Sequence, residues 1–166
     1  MRKYLIVDVG CGDARNFIEE VIQNGEAEEI KNSETLYVGV DYNLQGLERG
    51  KKLKKQEEIQ NLELIHADAR YLPFKDNSVD ECRTFYIFSQ AREAFENFVA
   101  IASEIHRALK PGSLWNFRDT WPEEIHGDLP HSYINRLFRV NWLRGGKANR
   151  LWVYLSEYEK IENVLS

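Results

Sequence analysis

The chain has 166 residues, is 43% hydrophobic and 12% aromatic, and carries a formal net charge of -5 at pH 7. These values predict a single domain over residues 1–166 with enough apolar material for a core; they exclude a disordered chain and give no overall attraction for nucleic acid. Two cysteines are too few for a disulfide framework, and no window approaches the ~18 apolar residues of a membrane span, so a cytoplasmic protein is expected.

Met1-Arg-Lys leads straight into an apolar run, without the h-region of a signal peptide. That run, Tyr4 to Val9, is broken only by Asp8 and predicts a buried strand. It turns through Gly10-Cys11-Gly12 into a helix from Ala14, with Phe17, Ile18, Val21 and Ile22 at helical spacing. Gln23-Asn24-Gly25 is a helix stop, and Glu26 to Glu34 is an acidic loop or short surface helix. Leu36 to Val40 is a second strand ending at Asp41, followed by polar Tyr42-Asn43. Leu44 to Ile59 is a helix with a basic middle, most simply a solvated face. Glu63 to Ala67 is a third strand, ending at Asp68-Ala69.

Tyr71 to Phe74 is irregular, Lys75 to Ser78 is turn chemistry, and Val79 to Phe88 is a fourth strand. Ala91 to Leu109 is a long helix, with Phe95, Phe98, Val99, Ala102, Ile105 and Leu109 at three- and four-residue steps. Lys110-Pro111-Gly112 stops it, and Ser113 to Phe117 is a fifth strand. Trp121 to Asn135 reads as loop and a short helix. Leu137 to Leu143 and Leu151 to Tyr158 read as an antiparallel hairpin. Strands alternating with helices predict an α/β fold of three layers, with a mostly parallel sheet and a C-terminal antiparallel hairpin. Ligands in such sheets bind at the carboxyl ends of the strands. Gly10 to Asp13, Asp41, Asp68-Ala69 and Phe85 to Ser89 stand there.

The glycine turn would let a ligand lie against bare backbone. A dinucleotide fingerprint would need glycine where Arg15 stands, and Asp13 would repel a pyrophosphate, so a nucleotide-dependent oxidoreductase is disfavoured. Asp41 could accept both hydroxyls of a ribose, or serve with Asn43 as a helix N-cap. Asp68 could take the exocyclic amine of an adenine while Ala69 offers its backbone N–H, or be a plain loop carboxylate. Asp8, inside an apolar strand, either ties down the turn or faces a cationic ligand. His66, His106, His126 and His131 show no metal-ligand spacing, so no metal is expected; His126 or His131 could serve as a base, or be solvated loop residues.

Asp8-x-Gly10-x-Gly12-x-Ala14 resembles the first motif of the class I S-adenosylmethionine-dependent methyltransferases. Val38-Gly-Val-Asp41, the block from Asp68-Ala69 through Leu72-Pro73-Phe74 to Asp80, and Glu104-Ile-His-Arg107-Ala-Leu109-Lys110-Pro111-Gly112 resemble three further blocks of that family, in its order. The resemblance implies a Rossmann-like methyltransferase fold and S-adenosyl-L-methionine as cofactor. It implies that Gly10 and Gly12 approach the methionine and ribose, and that Asp8 holds the turn and the cofactor's amino group. Asp41 would take the ribose hydroxyls, Asp68 and Ala69 would contact the adenine, and Tyr86 would face cofactor and substrate. Cys11 and Tyr42, beside these residues, complete the expected cofactor-binding set.

Methyl transfer from a sulfonium is an in-line displacement that needs proximity, alignment and a dry site, so no catalytic triad is expected. The methyl acceptor is expected to be a small molecule ahead of RNA, given the acidic net charge, and no membrane partner is expected. The stretch from Gly12 to Asp41 is longer than usual in the family. The chain begins directly at the first strand, without the N-terminal helices that cover the substrate in many members. The alternative is therefore a cofactor-binding subunit whose substrate site is completed by a partner or a second copy of the chain.

Overall fold

A computed structural model describes residues 4–23, 34–90, 97–122, 138–148 and 151–160. The acidic stretch over 26–33, the start of the helix expected from Ala91, and His126 and His131 lie outside the described residues. The elements are β1 (Tyr4–Val9), α1 (Arg15–Gln23), β2 (Thr35–Asp41), α2 (Leu44–Gln56), β3 (Leu62–His66) and β4 (Val79–Phe85). There follow α3 (Ile87–Gln90), α4 (Phe98–Ala108), β5 (Leu109–Pro122), β6 (Phe138–Ala148) and β7 (Leu151–Lys160). Their sheet runs β3-β2-β1-β4-β5-β7-β6. The five strands from β3 to β5 are parallel neighbours, whereas β7 pairs antiparallel with both β5 and β6. The connections reverse direction between β1 and β4, the place where such sheets open a crevice at their carboxyl ends.

Strand alternation divides the side chains cleanly between two faces. Val7 and Val9, Val38 and Val40, Cys82, Trp115 and Phe117 pack with Phe98, Ile101, Ala102, Ile105 and Ala108 of α4. Trp115 is fully buried, its indole N–H donates to Thr84 Oγ1 at 2.9 Å, and its ring meets Phe117 edge-on at 5.6 Å. On the opposite face Ala14, Phe17 and Ile18 pack with Ile59 and Leu62, and Phe17 lies 4.1 Å from the Tyr37 ring.

Several details differ from the sequence reading, among them the fifth strand, which runs over Leu109–Pro122 and takes in Trp121 and Pro122. The second helix stops at Gln56 rather than Ile59, because Glu58 takes a φ of 55°. The fourth strand ends at Phe85, three residues early, where Tyr86 turns left-handed at φ 59° and the short α3 begins. The long helix buries Phe98, Ala102, Ile105 and Leu109 of the expected stripe, but Val99 is 40% exposed and Ile101 and Ala108 join the inner face instead. Lys110-Pro111-Gly112 does not separate helix from strand. The chain passes directly from α4 into β5 at Leu109 (φ -64°, ψ 143°), and a register shift between Val79 and Glu81 absorbs the extra residues. The end of α4 is satisfied from outside: Asn77 and Ser78 donate backbone N–H groups to Arg107 and Ala108, and buried Lys160 donates to Leu109 O at 2.7 Å.

Among the described residues no helix is long and apolar enough to cross a membrane.

Candidate functional site

The glycine turn leaves β1 with three left-handed residues separated by Cys11 and Asp13. Gly10, Gly12 and Ala14 have φ values of 78°, 58° and 56°. Glycine is needed at Gly10 twice over, since a Cβ there would lie 2.8 Å from the Ile87 side chain. At Gly12 a Cβ would meet nothing within 4 Å, so its backbone faces open space. The turn hangs from β2: Gly10 N–H and Cys11 N–H both donate to Val40 O, at 2.8 and 3.2 Å.

Asp41, at the end of β2, locks the same turn from the side. One carboxylate oxygen accepts from Gly12 N–H at 2.7 Å and the other from Asn43 N–H at 2.7 Å. The N-cap of α2 is Asn43, whose Oδ1 accepts from Gly46 N–H at 3.1 Å, so Asp41 is released from that duty. Helix α2 then lies directly on the turn. A Cβ at Gly46 would stand 3.1 Å from Gly12 O, and one at Gly50 would stand 2.7 Å from Asp13 O. Two glycines one helical turn apart therefore set the distance between helix and turn.

A cleft of about 690 Å³ opens here across the strand ends. Gly10, Gly12, Asp41, Tyr42, Asp68, Ala69 and Tyr86 all line it, so the structure brings seven of the nine expected residues together. The other two, Asp8 and Cys11, line a separate void of about 10 Å³ beneath the turn. The reason for Asp8 is strand alternation: Val7 and Val9 face α4, so Asp8 points to the α1 side, where Arg83 lines the same void. Cys11 is directed against β2, where its sulfur would stand 2.7 Å from a Cβ at Gly39. Burial first, then the charges of Asp8 and Asp41, push its thiol far above the ordinary range and keep it protonated.

Asp68 meets the cleft already paired. Arg70 reaches both of its oxygens, closest at 2.6 Å, and holds its carboxyl below the ordinary value. The loop that follows is clamped onto α4. Glu104 accepts from Leu72 N–H at 2.9 Å, and Arg107 donates to the carbonyls of Leu72 and Phe74 and to Asp76. Further lining comes from residues absent from the expected set. Asn43 and Arg70 stand at the polar end; Phe85, Ile87, Asn97 and Ile101 stand with Tyr86 at the other. Tyr86 is held by its N–H on Arg118 O at 2.8 Å, with the Arg118 guanidinium 5.4 Å from its ring, and Phe88 N–H donates to the fully buried Asp119. A helical stripe containing Ile101 would have pointed to the apolar wall, but Asn97 carried no signal in the sequence.

The cleft thus has a polar end with carboxylates and bare backbone, and an apolar end built by β4 and α4. Bare backbone at Gly12 and carboxylates at Asp41 and Asp68 fit a ligand with hydroxyls, an amine and positive charge. Among the described residues no group of His, Cys, Asp and Glu is placed to hold a metal.

The chain is 32% identical over 122 residues to the demethylmenaquinone methyltransferase of Listeria welshimeri, a match covering 74% of this chain and 47% of that protein. It spans less than half the length of the curated relatives it matches first. In structure it is similar to YcgJ of Bacillus subtilis, with a TM-score of 0.75 and 13% identity over 98% of this chain and 94% of that one. It is similar too to an S-adenosylmethionine-dependent methyltransferase of Methanosarcina mazei, with a TM-score of 0.71 and 14% identity over 98% and 95%. The model of a methyltransferase domain matches residues 2–151, and the chain belongs to that family, among the class I S-adenosylmethionine-dependent methyltransferases.

Proposed function

We propose that residues 1–166 form an S-adenosylmethionine-dependent methyltransferase whose acceptor is a small, planar, largely apolar molecule of the reduced-quinone type. The observation that carries the cofactor reading is the Asp41 carboxylate, fixed on Gly12 N–H at 2.7 Å beside exposed turn backbone in a 690 Å³ cleft. Each Asp41 oxygen holds one backbone N–H and keeps lone pairs for the two ribose hydroxyls. Gly10 and Gly12 would admit the methionine part, and Asp68 and Ala69 would receive the adenine. Asp8 and Cys11 would act from beneath, by supporting the turn. When bound, the cofactor supplies an electrophilic methyl group on a cationic sulfur. The chain's own work is to orient the two reactants and exclude water.

The acceptor class is supported by the apolar end of the cleft, lined by Phe85, Tyr86, Ile87 and Ile101 with Asn97. It is supported also by the likeness to demethylmenaquinone methyltransferases. Calorimetry with S-adenosylmethionine tests the cofactor; absence of heat at millimolar concentration would refute it. Methyl transfer to a reduced naphthoquinone tests the acceptor, and transfer to structured RNA instead would overturn that part.

A second reading has its own support. Of five large apolar side chains exposed among the described residues, Tyr42 lines the cleft, and Leu44 and Tyr71 directly follow the lining residues Asn43 and Arg70. A mouth so edged fits a cofactor-binding subunit covered by a partner. Sedimentation separates the two: a monomer that methylates unaided removes the second.

A further inference from the structure

Arg70 occupies the acceptor that an adenine amine would need. Its Nε lies 3.0 Å from each Asp68 oxygen, its Nη2 lies 2.6 Å from Oδ2, and its backbone N–H donates to Oδ1 at 2.9 Å. A carboxylate has about four lone-pair directions, so one residue two positions away engages most of Asp68. The pair is not buried: the side chains are 43% and 41% exposed, and both residues line the cleft. The guanidinium is held from a second side at the same time. Its carbon is 5.9 Å from the ring centre of Tyr71, which is 74% exposed.

We infer that Arg70 is a competitive latch and specificity residue at the nucleoside end of the cleft. A ligand amine displaces the guanidinium from an Asp68 oxygen, and Arg70 stays over the Tyr71 ring, which already holds it. The inference rests on the reading that the cleft takes S-adenosylmethionine with its adenine toward Asp68. It has a specific consequence. A base that offers a donor at this position opens the latch; one that offers an oxygen there leaves the ion pair intact.

The test compares wild type with Arg70→Met, which keeps the apolar stem. Both are titrated with S-adenosylmethionine and with its inosine counterpart, which carries the same charge but has oxygen in place of the exocyclic amine. Arg70→Met is expected to bind S-adenosylmethionine about two- to fivefold more tightly, the worth of an exposed ion pair. The inosine ligand gains nothing, and the advantage of the variant shrinks as salt screens the pair. Unchanged or weaker binding of S-adenosylmethionine by Arg70→Met overturns the latch. An equal gain for both ligands also overturns it, since that is the effect of removing a positive charge near a cationic ligand. If neither protein binds either ligand, the cofactor reading itself fails and the latch with it.

Discussion

Gly50→Ala separates the structural reasoning from ordinary helix propensity. On a solvent-facing helix surface this change is stabilising by about 1 kcal/mol, because alanine loses less backbone entropy than glycine. Here the new Cβ would stand 2.7 Å from Asp13 O, 3.1 Å from Asp13 C and 2.9 Å from Leu64 Cδ1, where ordinary contact begins at 3.4 Å. Leu64 can rotate away. The Asp13 carbonyl cannot, because its turn is pinned by Gly12 N–H on Asp41 and by Ala14 N–H on Cys11 O at 2.8 Å. Helix α2 must therefore withdraw, at the cost of about 1–3 kcal/mol typical of an overpacked contact. After the propensity gain the net loss is about 0–2 kcal/mol, or a fall in Tm of up to roughly 8 °C for a domain of this size. Calorimetric melting reads the stability and titration with S-adenosylmethionine reads the site, which weakens because Asn43, the N-cap, moves with the helix and draws its N–H away from Asp41. A Tm raised above wild type would refute the close packing of helix on turn. Gly46→Ala, at 3.1 Å from Gly12 O, provides a milder step in the same direction.

Asp41→Asn keeps the shape but sets an amide N–H₂ against either Gly12 N–H or Asn43 N–H. Cofactor affinity should fall by at least about tenfold, as for loss of a hydrogen bond to a charged group, and unchanged affinity in titration would remove Asp41 from the site. Glu104 is held below its ordinary carboxyl value first by its hydrogen bond from Arg107, then by Leu72 N–H, against some desolvation. A depressed folded value means that its contribution is fully present above 4.5, the ordinary value, and disappears as pH falls through the lower folded value. Urea unfolding from pH 7 to pH 3 should therefore show an acid loss of stability that is smaller in Glu104→Gln; parallel curves for the two proteins would contradict the clamp.

Much of the site was readable because its chemistry is local. Asp8-x-Gly10-x-Gly12-x-Ala14 announces a turn with left-handed positions, and Asp41 and Asp68 follow short runs that read as strands. What could not be read depends on contacts across the fold. Gly46 and Gly50 look like defects in a helix until the Gly12–Asp13 backbone is placed against them. Tyr86 is a non-glycine residue with positive φ, so nothing in its type marks the end of β4. Lys110-Pro111-Gly112 reads as a stop, yet the sheet absorbs it as an irregularity. Asp8 was placed in the site by its cost of burial. Strand parity assigns its side chain to the other side of the sheet from α4, and that parity alone does not reveal how far the turn rises above it.

The direct passage of α4 into β5 at Leu109 makes the apolar wall of the cleft a rod clamped at its base. Its far end carries Asn97 and Ile101, whereas its near end is gripped by Asn77, Ser78 and Lys160, with no linker to take up slack. A bulky occupant pressing on Ile101 can tilt this helix only by pivoting it about Leu109, so the strain of filling the cleft is delivered to the opposite end of the sheet.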